Sequence, residues 1–359
     1  MNVLHVVGAR PNFMKAAPVL AALAKFAGVR QTLVHTGQHY DASMSKTFFQ
    51  ELEMPDADVN LEVGSGSHAQ QTAAIISRLE PVLTEHNPEV VLVYGDVNST
   101  LASALVCSKL EIPVAHVEAG LRSRDRSMPE EINRLLTDQI SELLFTPSKD
   151  ADENLRLEGI AGERIHLVGN VMIDTLVRLL SRAEHEHSQS SSERYVLVTL
   201  HRPSNVDDLP WLRRMLAALS DLSDDLAVVF PVHPRTRQHI ADLGLSTLGN
   251  GRLRLMEPKP YLEFLALERG AALVITDSGG IQEETTFLGI PCVTVRENTE
   301  RPVTVTMGTN VLVGRDITRL NKEVGRILSG KVKKSSTVPL WDGHAGDRIA
   351  AILTSVYKH

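Results

Sequence analysis

Residues 272–297 read ALVITDSGGIQEETTFLGIPCVTVRE, and their punctuation decides the fold. A short apolar strand ends at Thr276 and is followed by Asp277-Ser278-Gly279-Gly280. A helix is predicted from about Ile281 to Leu288; Gly289 stops it, and a new strand starts after Pro291. Strand, glycine turn, helix and strand in that order is the repeating unit of a parallel sheet. The same style recurs outward along the chain. Val-, Ile- and Leu-rich runs lie at 3–7, 31–35, 90–94 and 114–117, then at 195–200, 227–232, 273–276 and 292–295. They are continuously apolar rather than alternating, as strands covered on both faces are. The expected fold is α/β, with doubly wound, Rossmann-like parallel sheets.

With 359 residues the chain exceeds what one hydrophobic core usually fills, so two such domains are expected. The run RIHLVGN ends at Gly169-Asn170, and a helical pattern follows from Val171 to Leu180. Residues 183–194 are the most polar stretch and are predicted to be a surface loop. These marks place a first domain at 1–169 and a second at 170–346, with a C-terminal helix at 347–357. A net charge of -7 argues against nucleic acid or an anionic membrane as partner. No apolar run is long enough for a transmembrane helix, and the N-terminus opens into a strand rather than a signal peptide. Cys107 and Cys292 lie in separate apolar runs, which fits buried, unpaired thiols in a reducing compartment. A cytoplasmic protein without a metal site is therefore expected.

Open parallel sheets bind ligands beyond the carboxyl ends of their strands, and two facing sheets would form a cleft there. Polar residues just after strands are the candidates. Ser278, Gly279 and Gly280 open a helix whose amides and dipole favour an anion such as a diphosphate. Glu284, one turn further on, suits a vicinal diol such as ribose. The plainer reading of this segment is an ordinary helix cap. In VVGARPNFMK, Arg10 and Lys15 are cations around a helix start, where they oppose the dipole unless an anion binds. No GxGxxG follows that strand, so a dinucleotide cofactor is not expected.

Carboxylates gather at other strand ends. Asp96 follows 90–94, and its plain alternative is a cap for a helix beginning near Ser99. Glu118 follows PVAHV, with His116 on the same strand face; its alternative is a pair with Arg122 or Arg124. A carboxyl group at such a position is suited to proton transfer. Glu130 opens a helix in MPEEINRLL and could instead pair with Arg134 at i,i+4. His201-Arg202 and His233 follow strands of the second half, and Arg301 lies in a loop after another.

Together, VVGARPNFMKAAP, TGQHYD, VLVYGDVNSTLA, PVAHVEAGLRS, MPEEINRLLTD, LVGNVMID, TLHRPSNVD, PVHPRTR, DSGGIQEE and TERPVT resemble the non-hydrolysing UDP-N-acetylglucosamine 2-epimerases. The match runs in family order from residue 3 to about 313. The resemblance implies a glycosyltransferase-B type fold, with the C-terminal helix returning to the first domain. It implies interconversion of UDP-N-acetylglucosamine and UDP-N-acetylmannosamine through UDP elimination and a 2-acetamidoglucal, without cofactor or metal. It also implies a homodimer that feeds surface polysaccharide synthesis. By motif it carries Asp96, Glu118, Glu130 and His201 over as the acid/base set. Arg10, Lys15, His233, Phe264, Ser278, Gly279, Gly280, Glu284 and Arg301 are carried over as substrate contacts. Departures occur at Gln38-His39-Tyr40-Asp41, where many members have QHR, at GDVNST, and at His201-Arg202-Pro203-Ser204-Asn205. The first leaves open whether the family's allosteric UDP-N-acetylglucosamine site is present. The others leave a UDP-diacetamido-uronic acid as an alternative substrate, and a glycosyltransferase or a nucleotide-sugar sensor as alternative functions on the scaffold.

Overall fold

The computed structural model describes residues 1–38, 49, 51–187, 193–245 and 251–357. Two compact units emerge: residues up to Arg178 together with those from Pro339 onward, and Leu179–Val338.

The first unit runs β1 (Asn2–Val7), α1 (Arg10–Leu23), β2 (Arg30–His35), β3 (Val59–Asn60), α2 (His68–His86), β4 (Val90–Tyr94) and α3 (Asn98–Lys109). It continues through β5 (Val114–Val117), α4 (Pro129–Ile140), β6 (Leu143–Thr146), α5 (Lys149–Leu157) and β7 (Ile165–Leu167) into the first turns of α6 (Val171–His187), which passes into the second unit at Leu179. Its seven strands are parallel, in the order β3-β2-β1-β4-β5-β6-β7. Strands β4 and β5 are buried throughout, which explains their unbroken apolar sequence.

The second unit runs β8 (Tyr195–Thr199), α7 (Pro203–Val206), α8 (Leu209–Asp225), β9 (Ala227–Pro231), α9 (Pro234–Asp242), β10 (Leu253–Met256) and α10 (Tyr261–Gly270). Then come β11 (Leu273–Thr276), α11 (Gly279–Leu288), β12 (Cys292–Thr294), α12 (Pro302–Thr306), β13 (Asn310–Leu312) and α13 (Ile317–Leu328). Its parallel order is β10-β9-β8-β11-β12-β13. One face packs around Trp211, Phe230 and Ile275, the other around Leu197, Val229 and Val274.

Helix α14 (Ala345–Val356) belongs to the first unit and packs on α1. Asp174 of α6 holds its start by accepting from the backbone N–H of Ala345 (3.1 Å) and Gly346 (2.7 Å). Trp341 Nε1 donates to the Pro147 carbonyl at 2.9 Å, fixing the segment that leads into it.

Three local expectations need correction. Helix α6 continues to His187, so residues 183–187 of the expected loop are helical. A polar composition does not break a helix when Ala and Glu supply good propensity. Residues 188–192 of that stretch, and His39-Tyr40-Asp41, lie outside the described residues. Helix α11 starts at Gly279, two residues before the expected start, because amides of a first turn need no intrahelical partner. Helix α3 starts at Asn98 with Val97 at its cap, so Asp96 is not a capping residue.

Candidate active site

Each sheet reverses its strand order once. In the first unit the reversal lies between β1 and β4, in the second between β8 and β11. Ligands of open α/β sheets bind outside the carboxyl ends of strands at such points. Most of the sequence candidates lie in the loops that leave these strands or their neighbours.

The first-unit turn is tightly built. Asn12 Oδ1 accepts from the N–H of Gly8 (3.0 Å) and Ala9 (3.1 Å), while Asn12 Nδ2 donates to the Tyr94 carbonyl (2.7 Å). One buried asparagine thus joins the ends of β1 and β4. A Cβ at Gly8 would fall 2.0 Å from Ser99 Oγ, so only glycine lets the start of α3 approach this turn. Arg10 is exposed at the first residue of α1. Lys15 is buried one turn later, and its Nζ donates to Glu118 Oε1 at 2.8 Å. The cation expected to face a ligand therefore neutralises a candidate proton acceptor at the end of β5. Glu118 has φ +74°, a left-handed conformation that costs a residue with a side chain roughly 1 kcal/mol or more. The structure does not use Arg122 for it in the way the plain reading supposed. The Arg122 guanidinium bonds Asp138 at 2.7 Å and Glu158 at 2.6 Å.

Asp96 is half-buried and takes an ion pair from Arg134 Nη1. The Arg134 guanidinium also donates to Glu131 Oε2 through Nε (3.0 Å) and Nη2 (2.6 Å). Glu131 in turn accepts from the backbone N–H of Ser123 (2.9 Å) and Arg124 (2.8 Å). Burial opposes its ionisation, yet those amides and Arg134 hold its carboxyl below the usual range. Glu130 is half-buried in the first turn of α4, one residue away. Asp96, Glu118 and Glu130 thus sit on the loop after β4, the loop after β5 and the helix that follows.

Behind them is a buried cluster that pattern reading missed. His116 Nδ1 lies 2.6 Å from Asp138 Oδ1, and its Nε2 lies 2.7 Å from the Gly95 carbonyl. Asp138 Oδ2 also accepts from the Gly120 N–H at 3.1 Å. Burial works against the Asp138 charge, but His116 and Arg122 outweigh it and hold the carboxyl low.

In the second unit Asp277 is the organiser. Fully buried after β11, it accepts from the N–H of His201 (3.1 Å) and Arg202 (3.0 Å) and from Asn205 Nδ2 (2.9 Å). His201 Nδ1 stands 3.1 Å from Asp277 Oδ1, and more than half of the histidine side chain is exposed. Burial opposes the Asp277 charge, yet these donors keep the carboxyl below its ordinary value. The loops after β8 and β11 are therefore one construction.

Ser278 is the half-buried N-cap of α11 without a side-chain cap bond, leaving its hydroxyl available. Gly279 and Gly280 form the first turn. A Cβ at Gly279 would meet Arg301 Nη1 at 2.5 Å, so the guanidinium lies directly over the helix start. Arg301 bonds Glu300 at 2.7 Å and Glu283 at 2.8 Å, and Glu300 also holds Arg296 at 2.6 Å. Burial opposes ionisation of Glu300, but the three arginines 301, 296 and 202 drive its carboxyl far down.

Glu284 is nearly inaccessible, and its Oε1 accepts from Tyr261 Oη at 2.8 Å. Burial beside Glu268 raises the carboxyls of both glutamates. His233 serves as the N-cap of α9, its ring accepting from the Arg235 N–H at 3.3 Å. Phe264 packs half-buried against the core below β8 and β9. Both cysteines are free and buried, and burial pushes their thiols up to about 12. Among the described residues no group of His, Cys, Asp and Glu is arranged to hold a metal ion.

Two parallel sheets with charged residues at their switch points define a class: an α/β enzyme of the glycosyltransferase-B type. Comparison with known proteins specifies the family. The family model described as UDP-N-acetylglucosamine 2-epimerase matches residues 21–354. The UDP-N-acetylglucosamine 2-epimerase of Methanocaldococcus jannaschii is 43% identical, over 99% of each chain. A UDP-2,3-diacetamido-2,3-dideoxy-D-glucuronate 2-epimerase of Pseudomonas aeruginosa is also 43% identical, over 99% of this chain and 100% of that one. The crystal structure of the M. jannaschii enzyme in complex with UDP-GlcNAc and UDP superposes with a TM-score of 0.90, covering 99% of this chain and 100% of that chain. The chain belongs to the UDP-N-acetylglucosamine 2-epimerase family.

Proposed function

We propose that this protein interconverts UDP-N-acetylglucosamine and UDP-N-acetylmannosamine. The reading rests on family membership, and one observation carries the chemistry. Carboxylates at 96 and 118, each paired with a buried cation, follow β4 and β5 on one side of the switch point of the first sheet, while an arginine-capped helix start lies at that of the second. In the forward direction a carboxylate takes the proton from carbon 2 of the sugar. The C1–O bond breaks with its electron pair leaving on the UDP oxygen, and a C1–C2 double bond forms. In the return step a proton is delivered to carbon 2 from the opposite face, and the UDP oxygen attacks carbon 1. Nothing is oxidised or reduced overall.

Asp96, Glu118 and Glu130 form the proton-handling set, with His201 beside the departing diphosphate. Arg10, Ser278, the amides of Gly279 and Gly280, and Arg301 stabilise the charge that develops on UDP. Lys15 acts through Glu118, and Asp277 acts through His201. Glu284 meets the ribose, and His233 and Phe264 complete the nucleotide side. The working form is a cytoplasmic homodimer.

Incubation with UDP-N-acetylglucosamine in deuterated water is expected to place deuterium at carbon 2 of both epimers. Absence of exchange at high enzyme concentration would refute the reading for this sugar. The equal identity to the diacetamido-uronate enzyme favours one second reading, the same chemistry on that uronic acid. Exchange on the uronate alone would select it.

A further inference from the structure

The His116 ring is wholly buried between two oxygens. The Gly95 carbonyl only accepts hydrogen bonds, and the ionised Asp138 carboxylate only accepts them as well. At 2.7 and 2.6 Å both contacts are hydrogen bonds, so both ring nitrogens must carry hydrogen. Gly95 also donates its N–H to the Val117 carbonyl at 3.0 Å. Both polar atoms of the residue before Asp96 are thus tied to β5. On the other side, Asp138 takes the Gly120 N–H, two residues beyond Glu118. Gly95 at φ +64° and Gly120 at φ +80° have left-handed backbones that would drift without such ties. The charged groups around the cluster are Arg122, which pairs with both Asp138 (2.7 Å) and Glu158 (2.6 Å), and the Lys15–Glu118 pair.

We propose that His116 and Asp138 are positioning residues. A doubly protonated imidazole, clamped between Asp138 and Gly95, sets the mutual placement of the loops that present Asp96 and Glu118. This rests on the epimerase reading for its kinetic consequence but not for its structural content. Preorganised geometry is the physical point, because a displacement of about 1 Å in a proton-transfer group lowers turnover by about a hundredfold.

The test uses the full-length protein. Nitrogen NMR on histidine-labelled enzyme, with His116→Gln assigning the signal, is expected to show two protonated ring nitrogens. A neutral tautomer would overturn the clamp. Asp138→Asn keeps an acceptor for Gly120 but removes the charge. It is expected to lower kcat about 10- to 100-fold, with KM changed less than about threefold and UDP affinity intact. His116→Gln is expected to behave alike, so the proposal survives a folding failure of either variant. A folded variant with wild-type kcat, or one whose UDP affinity falls in step with kcat, would overturn the positioning role. Wild-type enzyme inactive on every UDP-sugar would instead sink the epimerase reading, and the NMR signature would still judge the clamp.

Discussion

Lys15 and Glu118, 103 positions apart in the chain, meet in an ion pair of 2.8 Å with both side chains at most 5% exposed. Removing one partner of such a pair strands the other charge in a medium that solvates it poorly. Lys15→Met is therefore expected to destabilise the first unit by about 3–5 kcal/mol and to abolish exchange at carbon 2. Urea denaturation measures the first effect; a loss below about 1 kcal/mol would show the pair to be energetically idle.

Gly279 lies under the Arg301 guanidinium, with space for a hydrogen and none for a methyl group. Gly279→Ala is expected to push Arg301 off the helix start while leaving the fold intact. UDP affinity should fall about tenfold, equivalent to about 1.4 kcal/mol, as read by calorimetry. Unchanged affinity would remove Arg301 and this helix start from the nucleotide site.

Asp277 is ionised in the folded chain more readily than in the unfolded one, since burial is outweighed by His201, Asn205 and the Arg202 amide. A depressed carboxyl stabilises the fold above its ordinary value near pH 4, and that contribution fades as pH falls below it. Asp277→Asn should thus be less stable than wild type at neutral pH, with the gap closing in acid. A gap independent of pH would show that the charge plays no part.

Asp174 has the opposite sign. Burial raises its carboxyl to about 6 despite the two amides of α14. The folded state then holds its proton where the unfolded chain has released it, so stability declines between about pH 4 and 6. Over about two pH units the decline amounts to about 3 kcal/mol. Asp174→Asn should lack this part of the slope in unfolding experiments at stepped pH, and an unchanged slope would contradict it.

Much of the frame was legible in one dimension. Covered parallel strands must be apolar throughout, so 90–94 and 114–117 announce themselves. The short strand Val59–Asn60 escaped, because two residues carry no period. The polar tail of α6 escaped because polar composition does not by itself report backbone shape.

The sequence by itself determined that the chain is a two-sheet α/β protein, that a strand, a glycine turn and a helix follow one another after residue 272, and that Asp96, Glu118 and His201 stand at strand ends. These follow from local chemistry: strand burial, glycine turns and free first-turn amides. Which charges neutralise which was decided only by the tertiary structure. Lys15 turned to Glu118, Arg134 to Asp96 and Glu131, and Asp277 gathered the loop at 201–205. Such pairings form across a sheet between residues 38 to 103 positions apart, except for the single-turn Glu131–Arg134 contact. Their energies depend on burial and on distance in space, which spacing along a chain does not encode.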